Sequence, residues 1–384
     1  MDLTTGYTDV GVTTSTLLST RTMQVPVLTG DEQYQPCSTV IGLRTVFITF
    51  HSIFTILANI ICIHVIRNTN TMTDSAKVFM VSLAISDLMV GVIAAFSIAP
   101  AFLGWWPWGK LICSITAAFV TVFCMTSVFS LVCISIDRII AVCNPLRYHS
   151  LVTRRRALAA TAFVWLGCFG IISCLWHNSP PVMYNNASVT CAWVWEDNFR
   201  SIPVAICICL SLFVVPCVIL CVMYFKLLLV TQHHVRRITA VNSWSAPPTP
   251  RPSMRSSLRS SESSTDESAV SSGSCASVSD HKAVKMFCVI TLAFTVAWAP
   301  YSITSMYSCI SGKTIPQWSE FLVHWLAFSN SWFNVIVYVI MNTALRNTAC
   351  RLLRRRHKRT CCRCGCCDNF VEEIPIPNTP NTRR

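Results

Sequence analysis

Seven long apolar stretches, separated by polar and often basic segments, dominate the pattern of hydrophobic positions along the chain. Each is long enough to cross a bilayer as a helix, which takes roughly 20 mostly apolar residues. The stretches lie near residues 41–66, 77–102, 110–142, 157–177, 202–230, 283–309 and 317–342. The pattern therefore predicts an all-α membrane protein, a seven-transmembrane helix bundle.

The distribution of basic residues predicts the orientation of this bundle. Arg67 and Lys77 flank the first loop, and residues 154–156 place three arginines in the third, whereas the intervening loops are poor in Lys and Arg. Because cytoplasmic loops carry the excess of Lys and Arg, we expect a multi-pass plasma-membrane protein with its N-terminus outside. The net charge of +13 then reflects membrane topology, and we expect no nucleic-acid partner.

The composition agrees with membrane burial. The chain is 53% hydrophobic and only 12% charged, where a soluble domain has about a quarter charged residues. Most of the 22 cysteines lie inside apolar stretches, where Cys behaves as a small hydrophobe. Residues 1–35 lack the apolar core of a secretory signal, so we expect the first spanning helix to act as the membrane signal.

Three parts are expected along the chain: an extracellular N-terminal tail at 1–40, a transmembrane domain at 41–342 and a cytoplasmic tail at 343–384. Within the domain, residues 231–280 are rich in Ser, Pro and Arg, which predicts a disordered cytoplasmic loop. This loop is either a plain linker or a segment regulated by phosphorylation within Ser256 to Ser264.

The tail begins with a basic amphipathic stretch, Asn342 to Arg356, which we expect to lie along the membrane lipid surface. A cysteine-rich run follows it. The run is typical of palmitoylation beside a basic helix or of a zinc site, and we favour acylation because no second well-spaced pair follows. The predicted palmitoylation sites are Cys361, Cys362, Cys364, Cys366 and Cys367.

Two features mark the second outer loop. Cys113 opens the third stretch on the outer side and Cys191 lies in this loop, so the oxidising outer compartment favours a disulfide that pins the loop over the bundle. Asn186 begins an Asn-Ala-Ser sequon in the same loop, which predicts a glycosylation site.

Asp87 is an ionisable residue in the middle of the second stretch. A carboxylate at that depth is costly, so it should face the bundle interior and have polar partners. An oxygen-rich pocket with one carboxylate suits Na⁺; the alternative is a hydrogen-bonded cluster without an ion. No cofactor is expected to be required. The candidate partners are Ser127, Asn330, Ser331 and Asn334, and Asn59 is able to join them.

A second charged pair, Asp137 and Arg138, lies at the inner end of the third stretch. Asp280, at the start of the sixth, is another candidate partner for Arg138. A link between Arg138 and Asp280 would hold two helices together, and breaking it would open a cytoplasmic cleft, as a two-state switch requires. The alternative is a surface salt bridge of little energetic weight.

Prolines interrupt two stretches. Pro216 and Pro300 each remove a backbone hydrogen bond, which favours a kink. Trp298, two residues before Pro300, would move with that kink, or it serves as plain packing.

Together these residues resemble the class A (rhodopsin-like) family of G-protein-coupled receptors over roughly residues 40–350. The order and spacing of the motifs carry the resemblance. They are Leu83-Ala84-x-x-Asp87, Trp106-x-Trp108-Gly109 before Cys113, Asp137-Arg138-Ile139, Trp165, Pro216 with Tyr224, Phe294 with Trp298-x-Pro300, and Asn334-x-x-x-Tyr338.

The resemblance implies a receptor that exchanges nucleotide on a heterotrimeric G protein, with arrestin and receptor kinases as further partners. No nucleophile–base pair or phosphate loop is apparent, so no enzymatic activity is expected. The resemblance assigns coupling roles to Arg138, Tyr224 and Tyr338, a toggle role to Trp298, and a connector below the ligand cavity to Phe294, Pro216 and Val128.

Departures from the family pattern bear on ligand and coupling. Val120 stands where amine receptors place an Asp, and Phe328 stands where opsins have a Lys, so the chain resembles an orphan receptor on the amine-related branch. Ile139 and Val335 replace the usual Tyr and Pro near the coupling machinery. The expected ligand cavity is mostly uncharged: Thr116, Val120, Thr121, Cys124, Tyr301, Ser305 and His324.

Several functional hypotheses remain open at this point. The receptor responds to a small or lipid-like apolar agonist, or it signals without ligand through the stimulatory G protein that raises cyclic AMP, with Trp193 and Trp195 dipping into the cavity. A non-signalling decoy receptor is the main alternative. A membrane transporter is a weaker one, because no inverted repeats are apparent.

Overall fold

A computed structural model of the chain describes residues 37–144, 146–176, 182–194, 201–244, 270–313 and 315–363. Within them, seven helices are long and apolar enough to cross a membrane, which confirms the predicted seven-helix bundle. They are α1 Ser38–Arg67, α2 Asp74–Ala95 continued by Ile98–Leu103, α3 Gly109–Cys143, α4 Arg154–Trp176, α5 Ser201–Cys209 continued through Val215–Trp244, α6 Val270–Ser311 and α7 Gln317–Met341.

Small and polar residues bring the helices of the bundle into close contact. A Cβ atom added at Gly91 of α2 would lie 3.0 Å from Thr55 of α1, so glycine permits the tight α1–α2 packing. Ser82 of α2 accepts a hydrogen bond from Trp165 of α4 at 3.0 Å and lies 3.2 Å from the Ser130 hydroxyl of α3. These polar contacts hold three helices together. They matter in a membrane because lipid tails are as apolar as the helix side chains, so the hydrophobic effect does not drive helices to associate.

Both predicted prolines lie inside spanning helices. A π-helical turn, Leu210–Val214, lies directly before Pro216 in α5, and such turns form where the regular hydrogen-bond ladder is interrupted. Pro300 lies inside α6. By contrast α7 is one continuous helix through Val335, where the family pattern has Pro.

Two predicted boundaries need correction. Residues 231–280 are not disordered throughout: α5 continues to Trp244 and α6 begins at Val270, while 245–269, with the candidate phosphorylation run, lie outside the described residues. The first helix begins at Ser38, so it takes in the end of the predicted tail at 1–40. Helix α8, Thr343–Arg363, confirms the helix predicted after α7 and extends beyond its predicted end.

The second outer loop forms a β-hairpin between α4 and α5. Strand β1, Val182–Asn185, pairs antiparallel with β2, Thr190–Trp193, and Tyr184 lies opposite Cys191. Its turn is inserted into the bundle: Ser188 and Val189 are 0% and 2% exposed. This hairpin closes the end of the bundle at which a ligand cavity was expected.

Candidate functional site

A disulfide fixes the hairpin to the third helix. The predicted bond between Cys113 and Cys191 is present, with the two Cα atoms 5.3 Å apart. Tyr184 packs beside it, its ring centroid 6.1 Å from that of Trp106. Burial raises the pKa of the Tyr184 phenol, which therefore stays neutral. The middle of the hairpin is thus held by a covalent bond and an apolar contact.

Two side chains of α7 bind the buried end of the hairpin. The Trp325 indole N–H donates to the Ser188 carbonyl at 2.9 Å, and Trp325 is only 1% exposed. The Thr190 hydroxyl lies 3.3 Å from His324 Nε2, within hydrogen-bond distance. Because both contacts are buried, leaving either partner unpaired carries a desolvation cost.

The rim of the hairpin turn makes two further contacts. Asn185 Nδ2 donates to the Glu320 carboxylate of α7, and Arg44 of α1 donates to the Asn186 carbonyl at 3.3 Å. Val189 adopts φ +60°, a left-handed conformation that is rare for a β-branched residue. The surrounding contacts hold this strained turn in place, which is how such backbones persist in folded proteins.

The hairpin fills most of the expected ligand cavity. A volume of only about 40 Å³ remains, bounded by the hairpin residues Cys191, Ala192 and Trp193 and by α3, α5, α6 and α7. Trp193 is 7% exposed, as expected if this loop dips into the bundle, whereas Trp195 lies outside the described residues. The predicted residues that line the cavity are Val120, Thr121, Cys124, Tyr301 and His324.

Two predicted lining residues point elsewhere. The Thr116 hydroxyl donates to the Cys113 carbonyl of its own helix at 2.8 Å. Ser305 borders a separate small cavity. Sequence spacing places both near the cavity but does not give their side-chain direction. The lining residues that the sequence did not indicate are small or apolar: Ala117, Ala192, Leu212, Ala327 and Phe328.

The toggle and connector residues form the floor below the hairpin. Trp298 is 3% exposed and lines the same cavity as Trp193. Neither indole N–H has a hydrogen-bond partner among the described residues. Phe294 and Val128 are fully buried beneath them. Pro216 is also buried, and Phe213, three residues before it, lies 6.1 Å from Phe294 between ring centroids.

Asp87 occupies the polar centre of the bundle, at 0% exposure. Its Oδ1 accepts a hydrogen bond from Ser127 at 2.6 Å, and its Oδ2 accepts one from Asn334 at 3.0 Å. Ser331 is also buried, at 3% exposure. Of the partners that the sequence grouped around Asp87, the structure thus brings Ser127 of α3 and Asn334 of α7 into direct contact with the carboxylate.

The donor set around Asp87 fits a small cation. Asn59 donates to the Ser331 carbonyl at 3.1 Å, but its own Oδ1 is buried without a partner among the described residues. Asn330 is 3% exposed. One carboxylate with hydroxyl and amide oxygens nearby matches the ligand preference of hard cations. Below it, the Tyr338 hydroxyl is buried and also lacks a partner in the described part of the chain.

At the opposite end of α3, Asp137 has more partners than the sequence suggested. Its Oδ2 lies 3.2 Å from Arg138 Nη2, and its Oδ1 accepts a hydrogen bond from the Tyr148 hydroxyl at 2.8 Å. The Ser75 hydroxyl lies 3.4 Å from the same Oδ1. Asp137 is 2% exposed, so this is not an ordinary surface salt bridge. Tyr148 and Ser75 could not be found by spacing because they come from other elements.

Tyr224 borders a small cavity of about 10 Å³ near this end of α3, together with Ile139 of α3 and Thr291 of α6. Arg138 pairs with Asp137 in this arrangement, and no hydrogen bond joins it to Tyr224 within the described part of the chain. Asp280 lies on α6, but its side chain is outside the described residues. Its link to Arg138 stays a prediction.

The predicted modification sites are only partly described. Asn186 occupies the hairpin turn, and its sequon partner Ser188 is fully buried. Cys361 and Cys362 lie on α8, whereas residues 364–367, with the other three candidate cysteines, lie outside the described residues. Glycosylation and palmitoylation stay predictions.

Comparison with known proteins identifies the family. The model of the seven-transmembrane receptors of the rhodopsin family matches residues 58–338. The chain is 29% identical to dopamine receptor 1 of Drosophila melanogaster over 361 residues, covering 89% of this chain and 68% of that receptor. It is 25% identical to the human histamine H2 receptor, covering 82% of each chain, and 27% identical to the guinea-pig (Cavia porcellus) 5-hydroxytryptamine receptor 4, covering 79% and 78%. The bundle, the disulfide and the family match together place this chain in the rhodopsin family of G-protein-coupled receptors.

Proposed function

We propose that this receptor activates the stimulatory G protein and raises cyclic AMP without a diffusible agonist, with its own hairpin in the place of the ligand. The proposal rests on the position of Trp193, which lines the expected ligand cavity together with Trp298. A ligand site is commonly about 300–1,000 Å³, whereas about 40 Å³ remains here.

The chemistry of the cavity argues against an amine agonist. The relatives named above are receptors for dopamine, histamine and 5-hydroxytryptamine, and a protonated amine needs a counter-ion when buried. Here Val120 lines the cavity on α3, and no carboxylate is among the lining residues. An amine would have to displace the hairpin and then be buried without an ionic partner.

Signalling without ligand requires a two-state equilibrium that the hairpin biases. The arrangement in which Arg138 pairs with Asp137 represents the resting member of that equilibrium. A free ligand loses translational entropy when it binds, whereas a tethered group loses little more. A seated hairpin therefore acts at high effective concentration, and we expect a constant fraction of receptors in the signalling state.

The test is cyclic AMP in cells that express the full chain without added ligand. We expect a rise that Arg138→Ala abolishes at matched surface level. Trp193→Ala should lower the rise towards that of Arg138→Ala, because the largest hairpin side chain in the cavity is removed. Trp105→Ala is the matched control, since Trp105 is 53% exposed and does not line the cavity.

Each outcome separates the alternatives. Unchanged basal signalling in Trp193→Ala would refute the role of the hairpin. No rise in cyclic AMP would refute the stimulatory type, and sensors for the other G proteins would then distinguish another coupling from a decoy receptor. Flux of a substrate that is lost in Asp87→Asn would instead support the transporter hypothesis.

We extend the proposal to location and partners. The receptor resides in the plasma membrane with its N-terminus outside, couples to arrestin and receptor kinases once active, and anchors α8 to lipid through its basic residues and acylated cysteines. Antibody binding to an N-terminal tag on intact cells, compared with permeabilised cells, tests the orientation. Labelling with an alkyne fatty acid, lost on replacing the tail cysteines, tests the acylation.

A further inference from the structure

A groove of about 340 Å³ runs between α3 and α4 on the outside of the bundle. It lies at the end that carries the disulfide and the hairpin. Two buried residues, Val122 and Ile172, form its floor. Its walls are Ile115, Phe119, Phe169 and Trp176. This groove is separate from the central cavity and has several times its volume.

The groove lies on the lipid-facing side of two membrane-spanning helices. Ile115, Phe119 and Trp176 are 37%, 39% and 43% exposed, and both helices cross the membrane. Elsewhere on α4, Phe163 and Leu166 are 79% and 73% exposed, so much of this helix faces lipid. The occupant of the groove therefore comes from the bilayer itself.

The walls are flat and aromatic. The rings of Phe119 and Phe169 meet edge to face with their centroids 6.0 Å apart, and Phe169 stacks against Trp165. Trp176 ends α4, at the membrane interface where tryptophan is enriched. A rigid fused-ring molecule loses little conformational entropy against such a surface, whereas a flexible acyl chain loses more.

Among the described residues that line the groove, Ser173 carries the one hydroxyl. It lies three residues before the end of α4, about 4.5 Å along the helix axis. It makes no hydrogen bond within the described part of the chain, although a polar group facing lipid gains from a partner. A lipid with a single hydroxyl near the membrane interface would supply that partner.

We propose that the α3–α4 groove binds a membrane sterol, with its rings on Phe119, Phe169 and Trp176 and its hydroxyl at Ser173. The site has a route to the hairpin, because the ring of Trp176 lies 6.1 Å from that of Trp193, edge to face. A sterol that holds Trp176 in place would stabilise the seated hairpin. This last effect rests on the proposed function, whereas binding itself does not.

The first test uses the purified full-length receptor in lipid nanodiscs with a photoactivatable sterol. We expect the label on peptides of α3 and α4. Unlabelled sterol should compete about three- to ten-fold better than its 3-deoxy analogue, the ratio expected for one hydrogen bond. In Ser173→Ala the two competitors should become equal.

A second variant fills the groove. Ala118 lines it, so Ala118→Phe should reduce labelling at least five-fold, while Ala162→Phe, at an exposed position of α4 outside the groove, should leave labelling unchanged. If Ala118→Phe does not fold, the competition experiment in Ser173→Ala tests sterol binding by itself. Undiminished labelling in Ala118→Phe with unchanged competition in Ser173→Ala would overturn the proposal. So would labelling by a photoactivatable phosphatidylcholine that sterol does not displace.

The binding assay contains no G protein, so its failure and the failure of the proposed function are distinguishable. If binding is present and the receptor signals, sterol depletion should lower basal cyclic AMP about two-fold or more in the wild type. It should have no effect in Ser173→Ala. Labelling without basal signalling would refute only the hairpin hypothesis.

Discussion

The Tyr148 hydroxyl donates a 2.8 Å hydrogen bond to Oδ1 of Asp137, while the other carboxylate oxygen of Asp137 faces the Arg138 guanidinium at 3.2 Å. Asp137 is 2% exposed, so its charge depends on these partners rather than on water. If Arg138 turned towards a G protein, the Tyr148 hydroxyl would remain as a partner of this carboxylate. We therefore expect Tyr148 to stabilise the state in which the ion pair is broken.

Removing the Tyr148 hydroxyl should strengthen the ion pair between Asp137 and Arg138. Hydrogen bonds to charged groups contribute about 1.5–3 kcal/mol, of which Ser75 can replace a part. In Tyr148→Phe we expect basal cyclic AMP to fall roughly three- to ten-fold at equal surface level. Asp137→Asn should have the opposite effect, because it releases Arg138. Tyr307→Phe, at a half-exposed position of α6, is the control; an equal fall there would contradict the prediction.

The anchor of the hairpin turn can be tested by removing one donor. In Trp325→Phe the Ser188 carbonyl loses its buried N–H partner, which costs about 1–3 kcal/mol. We expect amides of 182–193 to exchange with deuterium at least five-fold faster, and basal signalling to fall. The disulfide should stay intact. Trp318→Phe, also on α7 but 67% exposed, should leave the exchange unchanged.

The oxygen cluster around Asp87 predicts a response to Na⁺. We expect sodium chloride to raise the melting temperature of the purified receptor relative to the same concentration of choline chloride, because a cation would bind the resting state. Asp87→Asn removes the carboxylate and should abolish the difference. A difference that persists in Asp87→Asn would place the sodium effect elsewhere in the receptor.

Close packing of α1 against α2 predicts contrasting effects at two glycines. In Gly91→Ala the new methyl would lie 3.0–3.1 Å from Thr55 and Ile56, and overpacking of this kind costs about 1–3 kcal/mol. Gly170→Ala meets no atom within 4 Å. We expect the melting temperature in detergent to fall by several degrees in Gly91→Ala and not in Gly170→Ala. Equal shifts would show that helix propensity rather than packing dominates.

Much of the architecture follows from local sequence signals. Seven apolar stretches predict the seven spanning helices, because each signal acts within a single segment. The Cys113–Cys191 bond was also predicted, since the two residues share the oxidising side. The predicted disorder at 231–280 was too broad, because α5 and α6 continue helically past the apolar positions that marked their ends.

The site was only partly predictable, because side-chain direction depends on contacts between distant segments. Thr116 and Ser305 fit the helical spacing of the cavity, but Thr116 donates to a carbonyl of its own helix and Ser305 borders a separate cavity. Tyr148 and Ser75 meet Asp137 only after three elements pack together. The sequence by itself determined the helices, the buried charge at Asp87 and the disulfide. Only the tertiary structure decided that the hairpin enters the bundle, with its turn buried and its second strand bounding the cavity, since that position results from contacts with α1, α3 and α7.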